Sequence, residues 1–191
     1  ERLEAFRILL HDYPEWRGKV RLLMIAVPSR TEVKTYQTLR DTIEQTVSRI
    51  NGEYGTVDWA PISYQFQNRP FEEVVALYAC ADVALVTPIR DGMNLVAKEY
   101  IASKQGRPGV LILSEMTGAI DELPEAISIN PSNTRSVADA MRVALSMSKR
   151  EQMRRLGVMQ RRLKSYTVQA WGADFMNDLT AAGGEREQQH K

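Results

Sequence analysis

The sequence predicts an α/β domain built on a doubly wound parallel sheet. Short apolar runs recur along the chain, and two of them stop at a proline, at Pro28 and at Pro88. Between the runs lie longer segments in which apolar residues return about every three to four positions, the period of a helix that covers a sheet. Strands that alternate with helices are joined by crossovers. Crossovers make the strands parallel and place helices on both faces of the sheet.

The first half of the chain contains three predicted strands and two predicted helices. Residues 20–27 form an apolar run that ends at Pro28, which is typical of a strand buried on both faces. A polar stretch with apolar residues at helical spacing follows at 32–51. The same patterns predict a strand at 62–66, a helix at 71–81 and a third strand at 83–87.

The second half continues the alternation and closes with helices. Helices are predicted at 94–104, 118–123, 134–147, 149–166 and 168–179, and strands at 109–113 and 126–129. Residues 1–180 therefore form one predicted domain, and the polar residues 181–191 are expected to be a disordered tail or a linker. Residues 1–6 have the pattern of a helix interior without a capping residue or an initiator Met, so we expect a longer sequence to precede them.

Composition and charge exclude several classes of function. The 25 Lys and Arg residues nearly balance the 24 Asp and Glu residues, so the formal charge of +1 gives no long-range attraction to nucleic acid or an anionic membrane. The basic residues at 149–164 are predicted to be a solvated helix face. No apolar run approaches the roughly 18 residues of a membrane-spanning helix. The single Cys80 excludes an internal disulfide and favours a reducing compartment, so we expect a cytoplasmic protein.

The clearest functional signal follows the third predicted strand. Ligands of open parallel sheets bind outside the carboxyl ends of the strands, and here Asp91-Gly92 forms a turn into a helix that begins near Asn94. The first N–H groups of a helix have no partner within it and carry positive dipole charge, so this position suits a diphosphate. Glu99 lies one turn further, where a carboxylate can accept hydrogen bonds from a ribose diol. The competing interpretation is a helix cap with a solvated Glu99, and spacing alone leaves it open.

The eleven residues from Arg90 to Tyr100 (RDGMNLVAKEY) resemble the nucleotide-sugar signature of the trehalose-6-phosphate synthase family. The resemblance runs from about residue 1 to residue 179 and includes further matching positions in the same order. These are Pro28-Ser29-Arg30, Tyr36, Leu39-Arg40, Arg49-Ile50-Asn51-Gly52, Tyr54-Gly55, Trp59, Pro61 and Ala81-Asp82-Val83.

The resemblance implies a retaining glycosyltransferase of the GT-B type, which has two Rossmann-like domains facing across a cleft. Such enzymes transfer glucose from UDP-glucose to glucose 6-phosphate and release UDP. This chain matches the second, donor-binding domain without its first strand, so its expected partners are the two sugar substrates and a missing N-terminal domain. We expect the chain alone to be inactive. The family needs no metal or cofactor, and His11 and His190 lie too far apart in the sequence to suggest a metal site.

The resemblance also assigns roles to individual residues. Asp91 becomes the catalytic-site residue that accepts hydrogen bonds from the donor glucose, and Glu99 holds the ribose. The donor-binding set is completed by Gly92, Met93, Asn94, Leu95, Val96, Ala97 and Lys98, with the amides of Asn94 and Leu95 on the diphosphate. The loop at Arg69 meets the uracil through main-chain groups. Arg30 reaches the acceptor phosphate, a role that suits a forked guanidinium.

Alternatives to the synthase remain open at this stage. A regulatory or pseudo-enzyme subunit could keep the fold without turnover, although the intact residues 91–94 and Glu99 argue against it. A related transferase could use another acceptor, such as glycerol 3-phosphate, or couple through nitrogen. The donor domain does not reveal the acceptor, the preference for UDP over GDP or ADP, a following phosphatase domain, or whether the full-length protein is a homo-oligomer.

Overall fold

The structure is a computed structural model that describes residues 1–28 and 33–189, with side chains through residue 180. Within these ranges strands and helices alternate as the sequence predicts. The helices are α1 (Arg2–Asp12), α2 (Lys34–Tyr54), α3 (Phe71–Cys80), α4 (Leu95–Ser103), α5 (Ala119–Glu122), α6 (Thr134–Ser146), α7 (Lys149–Ser165) and α8 (Val168–Gln189). The strands are β1 (Leu22–Ala26), β2 (Ile62–Phe66), β3 (Val83–Val86), β4 (Val110–Ser114) and β5 (Ile127–Ile129).

All described strand pairs are parallel, but they form two sheets. Strand β1 pairs with β2, and Met24 lies opposite Tyr64 in that register. Strand β4 lies between β3 and β5, with Ile112 paired to Leu85 on one side and to Ile127 on the other. No strand among the described residues is hydrogen-bonded between β1 and β3. The predicted parallel α/β architecture is therefore confirmed, with the described strands divided between two sheets.

One hydrophobic core joins the two sheets. Helix α1 contributes buried Leu3, Ala5, Phe6, Leu9 and Leu10, and it packs between α6, which contacts β3, β4 and β5, and α2, which contacts β2. Side chains from all five described strands join that cluster. A second cluster lies on the other face of the three-stranded sheet, beneath α4 and α7. The helices thus cover both faces of the β3–β4–β5 sheet.

Strand β1 differs from its prediction as a strand buried on both faces. None of its five residues is fully buried, and Leu23 remains 41% exposed. Every residue of β4, in contrast, is buried. The two strands differ in burial because they have different numbers of neighbouring strands. Strand β4 is hydrogen-bonded to a strand on each side, whereas among the described residues β1 is hydrogen-bonded to β2 alone. The apolar side chains of β1 could therefore be buried more fully than the described residues bury them.

Helix α8 extends beyond its predicted end. Its backbone continues to Gln189, through most of the segment that was expected to be a disordered tail or linker. Exposed apolar side chains form a stripe along its first turns: Val168, Trp171, Phe175, Met176 and Leu179. The Trp171 and Phe175 rings stack on each other at 5.6 Å between centroids. None of the described helices is long and apolar enough to cross a membrane.

Candidate functional site

The turn between β3 and α4 is shaped by Asn94. This residue has φ 45° and ψ 82°, and it is the single non-glycine residue with positive φ in the described chain. Asparagine tolerates this left-handed region better than most residues, and such strained positions cluster at functional sites. Its side-chain oxygen accepts a hydrogen bond from the Ala97 amide at 3.0 Å and caps α4. Its side-chain nitrogen donates to the Asp91 carboxylate at 2.6 Å.

Asp91 closes the turn from the other side. Its Oδ1 atom accepts a hydrogen bond from the Gly92 amide at 2.8 Å while Oδ2 is held by Asn94. The side chain is exposed, so the carboxylate is fixed in direction and still accessible to a ligand. The predicted cap and the predicted ligand carboxylate therefore coexist in one arrangement.

The turn leaves a row of backbone donors without protein partners. The amides of Met93, Asn94, Leu95 and Val96 have no hydrogen-bond acceptor among the described residues. Leu95 is 60% exposed and Val96 46% exposed, so other protein atoms do not cover this end of the helix. Unpaired N–H groups and the positive end of the helix dipole together favour an anion here. These are the features that anion-binding helix starts share.

A second loop, after β4, holds the turn in place. The Ser114 hydroxyl donates to the Pro88 carbonyl at 2.7 Å, and the Asp91 amide donates to the Met116 carbonyl at 3.3 Å. The buried Thr117 hydroxyl donates to the Gly92 carbonyl at 2.7 Å. Sequence reasoning did not identify these supporting hydrogen bonds. The sequence signal that could have indicated these hydrogen bonds is the presence of small hydroxyl residues at and just after the end of a buried strand.

Glu99 lies one turn into α4 and faces α3. It lines an open groove of about 530 Å³ between these helices, together with Phe71, Val75 and Ala102. Burial and then the nearby Glu99 carboxylate raise the pKa of the Tyr78 hydroxyl. No hydrogen bond joins Glu99 to Asp91 or Asn94 in the described chain. None of the residues that line this groove belongs to the turn at 88–94, so Glu99 lies beside α3 and the groove continues along α4 past Ala102.

The remaining residues that were predicted to bind the nucleotide sugar have different contacts in the structure. Ala97 is fully buried in the core beneath α4. The Lys98 ammonium lies 2.7 Å from the Glu122 carboxylate on α5, so its charge is already paired. Arg69 pairs with Glu73 on α3 at 2.8 Å and also donates to the Gln65 side-chain oxygen on β2. Arg30 lies outside the described residues.

Two buried polar side chains fix α4 against the start of β3. The Lys104 ammonium donates to the carbonyls of Ala79 and Ala81 at 3.0 and 2.8 Å, where α3 ends. A cation at a helix carboxyl terminus is favoured by the dipole. The Tyr100 hydroxyl lies 3.3 Å from the Asp82 carbonyl. Burial lowers the pKa of Lys104 and raises that of Tyr100. The helix that carries the site is thus anchored at its far end.

The comparisons with known proteins agree on one family. The family model described as Glycosyltransferase family 20 matches residues 1–181. A bifunctional trehalose-6-phosphate synthase/phosphatase of Thermoproteus tenax is 48% identical over 190 residues, which are 100% of this chain and 26% of that protein.

Two solved structures share the fold. A UDP-forming α,α-trehalose-phosphate synthase of Burkholderia xenovorans, in complex with glucose-6-phosphate, has a TM-score of 0.87 and 39% identity over 94% of this chain and 40% of its own. An E. coli structure described as trehalose-6-phosphate and bound with UDP-2-fluoro glucose has a TM-score of 0.88 and 41% identity over 93% of this chain and 40% of its own. The chain thus spans about a quarter to two fifths of the length of these relatives. It belongs to glycosyltransferase family 20.

Proposed function

We propose that this chain binds the nucleotide-sugar donor of a retaining glycosyltransferase that forms trehalose 6-phosphate from UDP-glucose and glucose 6-phosphate. The observation that carries the proposal is the turn at Asp91. It combines an oriented, accessible carboxylate with the unpartnered amides of residues 93–96 at the amino end of α4. Relatives of the chain are named UDP-forming synthases, and one related structure contains a UDP-glucose analogue.

The donor fits the surface in three parts. The diphosphate lies at the unpartnered amides of Asn94 and Leu95, and the glucose lies against Asp91, Gly92 and Met93. The nucleoside extends from there into the α3–α4 groove, where Glu99 accepts hydrogen bonds from the ribose. Apolar Phe71 and Val75 in the same groove offer contact area to the base.

The geometry assists the departure of UDP. When the bond between the anomeric carbon and the UDP oxygen breaks, negative charge develops on the diphosphate. Fixed amide dipoles stabilise that charge without reorganising, because Ser114 and Thr117 already hold the turn. The acceptor hydroxyl takes the glucosyl group, and its proton goes to the departing phosphate oxygen. This route requires no enzyme nucleophile. Lys98 is paired with Glu122, so its role is to support α4.

The acceptor belongs to the part of the site that this chain does not provide. We propose that Arg30 contacts the acceptor phosphate and that an N-terminal GT-B domain completes the cleft. The exposed stripe of α8, from Val168 to Leu179, offers an apolar surface for that domain. An enzyme with both halves would act on soluble sugars and need no cofactor, and we propose a cytoplasmic location.

The test is a donor-binding and turnover assay on the product of the complete gene. Wild-type protein is expected to bind UDP-glucose and to release UDP when glucose 6-phosphate is added, whereas residues 1–191 alone should bind weakly and not turn over. Asp91→Asn should lower turnover by about a hundredfold, since it weakens one group aimed at the transition state. The matched control is Asp58→Asn, which alters an exposed loop carboxylate elsewhere. Equal turnover of the Asp91 and Asp58 variants would refute the assignment.

The same assay separates the alternatives. A pseudo-enzyme predicts UDP-glucose binding without UDP release for any acceptor. A transferase with a different acceptor predicts release with glycerol 3-phosphate but not with glucose 6-phosphate. Competition by GDP-glucose and ADP-glucose measures the nucleotide preference.

A further inference from the structure

Arg2 is a partly buried cation that has no acidic partner among the described residues. It lies in the first turn of α1, and its Nε atom donates to the Thr87 hydroxyl at 3.0 Å. No carboxylate of the described chain lies within ion-pair distance of it, in contrast to Arg7, Arg69 and Arg162. Burial lowers the pKa of the Arg2 guanidinium, and no acidic neighbour offsets that effect.

A desolvated charge of this kind calls for a counter-charge. A guanidinium has five N–H donors, and the Thr87 hydroxyl accepts one of them without neutralising anything. Proteins pair buried charges because an isolated one is expensive to keep out of water. The described residues do not supply the pairing group, which leaves that part to a ligand or to residues outside the described ranges.

The position of Arg2 in the fold indicates which kind of anion pairs with it. Thr87 directly follows β3 and precedes Pro88, so the guanidinium lies at the carboxyl end of the sheet, where ligands of parallel α/β sheets bind. The turn that begins at Pro88 also ends in the unpartnered amides of residues 93–96. Arg2 holds the Thr87 end of this segment while Ser114 holds Pro88. The Arg2 guanidinium and the amino end of α4 thus both place positive charge at the carboxyl end of the β3–β4–β5 sheet.

We propose that Arg2 binds the diphosphate of the nucleoside-diphosphate donor, as a second positive element beside the amino end of α4. The proposal deepens the proposed function and rests on it. A forked guanidinium suits a diphosphate because it can donate two parallel hydrogen bonds to phosphate oxygens. Thr87 then acts as the positioning residue that fixes the guanidinium through Nε and leaves its terminal nitrogens for the ligand.

The experiment is calorimetric titration of the complete gene product with UDP and with uridine, which lacks the diphosphate. Arg2→Gln is expected to weaken UDP binding about ten- to a hundredfold, the range of a lost hydrogen bond to a charged group, and to leave uridine binding unchanged. Arg2→Lys should recover part of the loss because it keeps the charge but not the fork. Arg21→Gln is the charge-matched control, since exposed Arg21 precedes β1 at the opposite edge and should change neither ligand.

Thr87→Val separates ligand binding from support of the turn. It removes the bond to Thr87 and keeps the Arg2 charge, so UDP affinity should fall less than about threefold. Equal losses in Thr87→Val and Arg2→Gln, or equal losses for UDP and uridine, would mean that Arg2 only supports the turn or pairs with a protein carboxylate, and would overturn the inference. Unchanged UDP binding in Arg2→Gln would overturn it while the proposed function stands. Failure of wild-type protein to bind UDP would overturn both.

Discussion

The two sheets of the molecule are built from similar sequences but bury them differently. Strand β1 (LLMIA) and strand β4 (VLILS) are both short and apolar, yet every residue of β4 is buried and none of β1 is. Strand β4 has β3 and β5 as neighbours and helices on both faces, whereas β1 is paired only with β2. The apolar composition of a strand determines how many of its side chains can be buried favourably. The strands and helices that pack against it determine how many are buried.

The difference bears on the proposed function because the turn at Asp91 follows a strand of the well-buried sheet. Residues 88–94 follow β3, and the loop after β4 holds them through Ser114 and Thr117. A site for charge stabilisation needs donors that do not move as charge develops. The three-stranded sheet provides that rigidity, and we expect the β1–β2 sheet to be the part that tolerates change.

The largest expected effect is a paired substitution of leucines in the two sheets. Leu113→Ala removes a fully buried side chain from β4 and should lower the free energy of unfolding by about 2–5 kcal/mol through lost burial and a cavity. Leu23→Ala in β1 should cost less than about 1 kcal/mol, because that side chain is already 41% exposed. Urea denaturation of both variants measures the contrast. Equal losses would mean that β1 is covered in solution and would break the comparison.

A smaller effect is expected where the β4 loop supports the turn. Thr117→Val removes a buried hydroxyl that donates to the Gly92 carbonyl, and should cost about 1–2 kcal/mol of stability. UDP binding should weaken with it, because the amides of the turn lose their fixed position. Thr42→Val is the matched control on α2, where an exposed hydroxyl donates to the Thr38 carbonyl. Thermal unfolding and UDP titration of the pair test the coupling, and similar behaviour of both variants would argue against it.

The smallest effect concerns acid stability at the edge of the three-stranded sheet. Arg162 on α7 forms two hydrogen bonds, 2.6 and 2.8 Å long, to the Glu125 carboxylate before β5. The Arg162 guanidinium lowers the pKa of Glu125 in the folded protein. The folded pKa lies below the unfolded value, so this stabilisation is fully present above the unfolded pKa of about 4.3 and is lost as pH falls through the folded pKa.

Arg162→Gln should therefore cost about 1 kcal/mol at neutral pH and make the loss of stability below about pH 4 less steep. Chemical denaturation across pH 2–7 (roughly the range that brackets both pKa values) measures this slope. The control is Arg21→Gln, because exposed Arg21 donates to the Ala60 carbonyl and has no ion pair with a carboxylate of the described residues. An unchanged acid slope in Arg162→Gln would show that the Glu125 pair does not contribute to folding stability.

Periodicity and one local motif were enough to predict the order of elements and the turn at Asp91. Strands such as Ile62–Phe66 were predicted at their observed bounds because an apolar run reports local burial directly. The Asp91-Gly92 turn and the cap at Asn94 are also local, since a few residues set their backbone angles and hydrogen bonds. The end of α8 was missed because the sequence AAGGEREQQ at 181–189 has no large apolar residues at helical spacing.

Only the tertiary structure decided how distant residues meet. The sequence by itself determined the fold class and the turn that the family signature carries. The break between β1 and β3, the direction of Glu99 toward α3 and the bond from Arg2 to Thr87 join residues far apart along the chain. Spacing along a chain encodes which face of an element is apolar. It does not encode which element will lie against that face, because packing of the whole core settles that choice.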